Sequence, residues 1–156
     1  MRILVVSDTH GDLRSLRKAV DIQKNCDVII HCGDGREQYE YLKENYTDKM
    51  VVGVKGNCDL ASPLMSKEVI RICGKTIFVT HGHLYNAKSS MYHIFCAGKE
   101  EKADIVVFGH THIPLTTYED GIHFLNPGSC SGYKPSYGFI DILDNGDIVT
   151  NTVTIN

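Results

Sequence analysis

The chain has 156 residues, 42% of them hydrophobic and 22% charged, which bounds it to a single domain, residues 1–156, with a core large enough to stand without disulfides or metal staples. A net charge of −3 argues against a broad basic surface of the kind that binds nucleic-acid backbones, though not against a small positive pocket built by metal ions. No run approaches the ~20 apolar residues that a bilayer-spanning helix needs.

The first strand, Arg2 to Ser7, begins at once, with no charged leader, apolar region or cleavage site before it, so no signal peptide and a cytoplasmic address are expected. It ends in Asp8-Thr9-His10-Gly11. Asp12 then caps a helix whose Leu13, Leu16 and Val20 fall at helical spacing, with Arg14, Arg17 and Lys18 as a solvated face. Strand two, Val28 to Cys32, gives way to Gly33-Asp34-Gly35 and a helix from Arg36 to Asn45. This strand-then-helix order implies a parallel sheet.

Strand three, Val51 to Val54, stops at Gly56-Asn57-Cys58-Asp59. Val69 to Ile72 and Thr76 to Thr80 read as a hairpin turning at Cys73-Gly74-Lys75. After His81-Gly82-His83 comes a helix over Lys88 to Lys102, then the buried strand Ile105 to Phe108. The C-terminal third is all short strands: Leu115 to Tyr118, Ile122 to Leu125, Tyr137 to Leu143 and Ile148 to Ile155. The expected fold is α/β, with two face-to-face mixed β-sheets flanked by helices. Exposed apolar strands in that third leave self-association, as a homo-oligomer, open.

The six cysteines (Cys26, Cys32, Cys58, Cys73, Cys96, Cys130) form no C-x-x-C pair, which argues against a zinc ribbon or thioredoxin motif. They read as core fillers and loop residues of a protein kept reduced. Chemistry is carried elsewhere. Five apolar runs each end in Asp, Asn or His: Asp8 and His10, Asp34, Asn57, His81, then His110 and His112. Taken singly, each is most simply a cap, a turn residue or a satisfied histidine. Together they stand at the carboxyl ends of strands, where α/β sheets place their sites. Gly33, Gly56 and Gly109 each precede one of them, as where backbone turns sharply or approaches closely.

In those residues the chain resembles the calcineurin-like metallophosphoesterase superfamily, whose pattern D-x-H, G-D, G-N, H, G-H-x-H runs here from Asp8 to His112. Asn126-Pro127-Gly128-Ser129 extends the resemblance to its small bacterial and archaeal phosphodiesterases. The resemblance implies two divalent metals. Asp8, His10 and His112 would hold one, Asn57, His81 and His110 the other, and Asp34 would bridge them, since a carboxylate can span two ions. Mixed nitrogen and oxygen ligation suits Mn above all, or Ni, Fe, Co or Zn, whereas Ca prefers oxygen alone. Two such ions, less Asp8, Asp34 and a bridging hydroxide, leave the pocket at about +1, which attracts a small phosphorylated substrate. The implied activity is hydrolysis of a P–O bond by in-line attack of that hydroxide, with a phosphodiester as substrate. The alternatives are a phosphomonoesterase or nucleotide phosphatase with the same metals, and a non-catalytic scaffold, since a eukaryotic retromer subunit shares the fold.

The pattern departs at Cys58, where many members carry a His that protonates the leaving group. A thiol is a poor substitute, so Cys58 reads as a small residue beside the substrate, and the enzyme either favours good leaving groups or recruits another donor. His83 is the candidate donor, against a purely structural role. Arg36 either reaches a phosphate oxygen or points to solvent. Ser129 is a further candidate substrate contact, and Glu37, where the family often has Asp, is expected to orient a ligand. His31, His93 and His123 read as structural.

Overall fold

Apolar runs that are continuous in sequence divide between two faces in space. A computed structural model describes residues 1–156. In β1 (Arg2–Val6), Ile3 and Val5 enter one core while Leu4 and Val6 enter another, because successive strand side chains point to opposite sides of the sheet. All four are fully buried, so the strand is covered on both faces. The same division runs through β2 (Val28–His31), with Val28 and Ile30 on one side and Ile29 on the other.

These strands belong to a five-stranded sheet ordered β10-β9-β1-β2-β3, with β3 at Met50–Gly53, β9 at Ser136–Ile142 and β10 at Ile148–Thr154. β1 to β3 are parallel, and β9 joins β1 antiparallel, so the sheet is mixed. The second sheet is ordered β4-β5-β6-β8-β7, built from β4 (Lys67–Ile72), β5 (Lys75–Thr80), β6 (Ile105–Val107), β7 (Leu115–Glu119) and β8 (Ile122–Asn126). Here β5, β6 and β8 are parallel, and the edge strands β4 and β7 close hairpins.

Between the sheets, Ile3, Val5, Val28 and Ile30 meet Ile77, Val79, Ile105 and Val107 in one apolar layer. Outside the first sheet, Leu16, Ala19 and Val20 of α1 (Leu13–Ile22) and Leu42 of α2 (Arg36–Asn45) cover Leu4, Val6 and Ile29. Outside the second, Ile94 and Ala97 of α3 (Tyr92–Glu100) cover Phe78, Val106 and Phe124. Each large side chain buried this way contributes about 1.5–3 kcal/mol, and the three layers hold the loops between them in place. No helix is long and apolar enough to cross a membrane.

The expected elements are found, with shifts at their ends. Asp12 caps α1 as its position predicts, its carboxylate accepting the Ser15 N–H at 2.9 Å and the Ser15 hydroxyl at 2.7 Å. The helix expected from Lys88 begins only at Tyr92. Asn86 takes a left-handed conformation (φ 53°), and its carbonyl accepts the N–H groups of both Ser89 and Ser90, which spends those residues on a turn. A single 3₁₀ turn, His83–Tyr85, precedes it. β4 starts at Lys67, two residues before the apolar run, because pairing with β5 continues past it to Lys67↔Thr80.

Candidate metal centre

Every parallel strand but one delivers a candidate ligand just past its carboxyl end, and six of the seven candidates come together. Asp8, after β1, is fully buried, and its two oxygens are treated differently. Oδ2 accepts the Ser7 hydroxyl at 2.6 Å and the His110 N–H at 3.0 Å. Oδ1 has no hydrogen-bond partner. Around that orphan oxygen stand Nε2 of His112 at 3.0 Å, His10 at 3.8 Å and His81 at 3.9 Å. Asp34 Oδ2 lies 3.4 Å from the same His81 nitrogen, and Asn57 Oδ1 lies 3.1 Å from it. His110 adjoins the group edge-on, its ring centroid 5.0 Å from that of His81.

The protonation pattern makes this a set of lone pairs. His81 Nδ1 sits 2.7 Å from the Cys32 carbonyl oxygen, which only accepts, so Nδ1 carries a hydrogen and Nε2 presents its lone pair in the neutral ring. That lone pair faces two carboxylate oxygens and an amide oxygen, all acceptors. A cation satisfies such a set, and so does a proton in its place. Burial disfavours charge on His81, yet the hydrogen bond to Asp34 and the Asp8 charge outweigh it and raise the imidazole pKa. Burial likewise opposes ionisation of Asp34, but His81 and the Cys58 N–H, which donates to Asp34 Oδ1 at 2.8 Å, hold it well below the usual carboxylate range. The orphaned oxygen and the all-acceptor lining fit divalent metal.

Ligand-atom sets within 4.8 Å of one another are Asp8–His10–His112 and Asp8–Asp34–His81, with His10–Asp34–Cys58 as a third. Asp8 therefore joins two of the sets, and so does Asp34. Asp8, Asp34 and His81 form a buried floor, while His10, Asn57 and His112 stand exposed at the rim.

Backbone strain marks the same residues. Asp8, His10, Asp34, His110 and His112 all have positive φ, between 41° and 68°, a region that costs non-glycine residues about 1–3 kcal/mol each. The strain is held by bonds from neighbouring loops. Asp8 N–H donates to Gly33 O at 2.9 Å and His10 N–H to Asp34 O at 3.1 Å. The hydroxyls of Ser129 and Ser131 both donate to Asp8 O at 2.9 Å. Asn126 Nδ2 donates to Gly109 O at 2.9 Å and to the Thr111 hydroxyl at 3.0 Å, gripping the loop between the two terminal imidazoles. Gly109 is required by close approach: a Cβ there would stand 2.7 Å from Asp8 Oδ2 and collide with the Ser7 hydroxyl.

Ser129 spends its hydroxyl on the Asp8 carbonyl and on Ser131. Cys58 is exposed beside Asp34, and hydrogen bonding to that carboxylate, ahead of burial and charge, pushes its thiol pKa up. Arg36 is exposed on the wall of a cavity of 380 Å³ that also reaches His10, Asp34 and Asp59. Glu37 is exposed on that wall too. The orienting role expected of it falls to its buried neighbour Gln38, whose Oε1 accepts the Gly11 N–H at 3.2 Å and the Thr9 hydroxyl at 3.3 Å. His83 is half-buried, with its Nδ1 inaccessible and unpartnered. His31 is structural: Gly33 N–H donates to Nδ1 at 3.1 Å, so Nε2–H donates to Thr9 at 3.0 Å. Burial pushes its pKa down to about 4. Asp59, for which nothing was expected, accepts four backbone N–H groups, from Asp34, Gly35, Arg36 and Gly56. Its only signal in the sequence is its place directly after Gly56-Asn57-Cys58.

Two mixed sheets face to face, with a carboxylate-and-imidazole cluster where their parallel strands end, define a metallohydrolase-type centre. Residues 1–145 match the calcineurin-like phosphoesterase superfamily domain, and the chain belongs to that superfamily of metal-dependent phosphoester hydrolases. It is 33% identical over 133 residues to the probable metallophosphoesterase YsnB of Bacillus subtilis, a match spanning 83% of this chain and 75% of that protein. It is 30% identical over 165 residues to the phosphodiesterase MJ0936 of Methanocaldococcus jannaschii, spanning 92% and 93%. Among solved structures, the zinc complex of Vps29 from Entamoeba histolytica superposes with a TM-score of 0.74 at 25% identity, covering all of both chains.

Proposed function

We propose that the protein is a dinuclear phosphoesterase acting on phosphodiesters, cleaving a P–O bond by in-line attack of hydroxide. The observation that carries this reading is the buried, unpartnered Asp8 Oδ1, set among Nε2 atoms of His10, His81 and His112. Asp8, His10 and His112 would hold one ion, Asn57, His81 and His110 the other, and Asp34 would bridge them. Mn is the first candidate, with Ni, Fe, Co or Zn also suited to this donor set. Bound ions of this kind lower the pKa of water from 15.7 to roughly 7 and neutralise charge growing on phosphate oxygens.

The chain's own residues do the rest. The exposed rim of His10, Asn57 and His112 leaves one side open to substrate, and Arg36, exposed on the wall of the cavity that reaches Asp34, would meet a phosphate oxygen. His83, its ring 5.3 Å from that of His81 and 6.1 Å from that of His110, is the hydrogen donor to the departing oxygen. Burial and the nearby His81 lower its pKa, so near neutrality it is uncharged and would steady the departing oxygen by an N–H hydrogen bond, the proton that oxygen finally takes coming from solvent. Cys58, its thiol pKa raised, is a weak donor, which favours substrates whose leaving group departs readily. The preference for diesters over monoesters rests on that weakness and on the likeness to MJ0936. The full set of candidate ligands favours an enzyme over a scaffold of the same fold.

Purified protein loaded with Mn should carry close to two ions per chain and hydrolyse bis(p-nitrophenyl) phosphate faster than p-nitrophenyl phosphate. Less than one ion per chain, or no hydrolysis of either, would remove the proposal. A faster monoester reaction would remove the diester preference alone.

A further inference from the structure

Two cavities are lined by residues of the ligand-bearing loops, and their chemistry differs. The one of 380 Å³ beside His10 and Asp34 is polar, walled by Arg36, Glu37 and Asp59. The second, of 460 Å³, is lined by Ala87, Met91, Phe108, Ile113 and Leu115. Both volumes fall in the ~300–1,000 Å³ range of small-molecule pockets, but only the second has the apolar lining that dominates such pockets.

The apolar cavity is lined by the loop that carries two of the candidate ligands. Thr111, which lines it, lies between His110 and His112, and Phe108 and Ile113 flank the same loop. Lys88, exposed to water, lines the same cavity and is its one cationic side chain. Ile113 is 67% exposed, a large apolar side chain left in water one residue from a candidate ligand. A phosphodiester has two ester arms leaving one phosphorus, and here two pockets of opposite character are lined by the loops that carry one cluster.

We propose that the cavity walled by Phe108, Met91 and Ile113 receives a flat apolar ester arm, an aryl group or a base, while the Arg36 cavity receives the polar arm. The preferred substrate is then an unsymmetrical phosphodiester. Lys88 supplies positive charge for the phosphate at the cavity's mouth, and burying the arm removes both its own apolar surface and that of Ile113 from water. This rests on the phosphoesterase reading above, and the test separates the two.

The probes are phenylphosphonate and methylphosphonate, which share an anionic head and cannot be hydrolysed, titrated calorimetrically into the metal-loaded protein. Phenylphosphonate should bind about tenfold more tightly. Ile113→Ser, at an exposed position that leaves the core intact, should abolish that advantage while leaving methylphosphonate affinity unchanged. Ile113→Leu should keep it. Equal affinity for the two probes, no binding of either, or an Ile113→Ser variant that changes only self-association would each overturn the proposal. Phenyl preference in a protein that cleaves no diester would sink the phosphoesterase reading and leave the apolar subsite standing.

Discussion

The carboxylate of Asp59 accepts the backbone N–H of Asp34 at 2.7 Å. Its same oxygen takes the Gly56 N–H at 2.8 Å, and its other oxygen takes those of Gly35 and Arg36, each at 2.9 Å. One side chain thus ties the loop after β2 to the loop after β3 and places a negative charge at the N-terminus of α2, where the helix dipole favours it. Asp59→Ala should cost about 2–3 kcal/mol, read as a shift in urea midpoint, because four donors lose a charged acceptor. It should also weaken metal binding by ~10–100-fold, as loss of an orienting partner does. Unchanged metal affinity would mean that the Asp34 loop holds its shape alone.

Gly109→Ala tests the closest approach at the site. The added methyl would press on Ser7 and on the oxygen of Asp8 that its hydrogen bonds hold still. Overpacking of this kind costs about 1–3 kcal/mol. Because the strain falls on Asp8, metal content should drop along with the unfolding midpoint. A variant as stable and as metal-rich as the parent would show that the loop shifts freely.

The strands, both kinds of hairpin and the ligand-bearing loops were legible in the sequence because they obey local rules: short apolar runs, turn residues, and Asp or His placed just past a strand. Ile3 to Val6 read as a strand, but nothing in four consecutive apolar residues says which face belongs to which layer, since both are buried. The start of α3 is less legible: Ser89 and Ser90 suit a turn or cap as well as a helix, and the turn bonds to Asn86 depend on a left-handed residue that Asn merely permits. Least legible were the residues that hold the ligands in place. Ser131 meets Asp8 across 123 positions, and Asn126 meets Gly109 across 17. Such partners are created by the fold and leave no spacing to read.

Acid should destabilise the metal-free protein through His31. Its pKa is about 4 in the folded chain against an ordinary 6.5, so between these values the unfolded state binds the extra proton. Stability therefore rises with pH across this window, is complete above 6.5 and is lost as pH falls toward 4, by about 3 kcal/mol from this group. Burial is the main cause, and the ring is only 1% exposed. His81, whose pKa is raised, is protonated in both states below 6.5 and acts in the opposite direction above it. Asp34, whose pKa is lowered from 3.8, acts only below that value. Urea midpoints of EDTA-treated parent and His31→Gln at pH 7 and 4.5 should show a shallower fall for the variant. Parallel falls would assign the acid sensitivity elsewhere.

His83→Gln should slow esters with poor leaving groups by about 100-fold and those with good ones far less, because only the former need a hydrogen donor in the transition state. The measurement is the dependence of kcat on leaving-group pKa across a series of substituted phenyl diesters. The slope should steepen in the variant. Equal loss along the whole series would make His83 a structural neighbour of His81.

Asp34→Asn keeps the size of the side chain and removes its charge. The amide can still accept the Cys58 N–H through one oxygen, so the loop should fold. What it cannot do is offer a second anionic oxygen toward His81, now 3.4 Å away, for two cations to share. Both metal equivalents should be lost together, with affinity falling by more than the ~10–100-fold typical of an outer partner, and turnover should vanish. Metal counted per chain at rising free Mn, beside the diester assay, distinguishes the outcomes. Retention of one tight ion would give the shared position to Asp8, which belongs to two of the three ligand-atom sets and has an unpartnered oxygen, and retention of activity would remove bridging by Asp34 altogether.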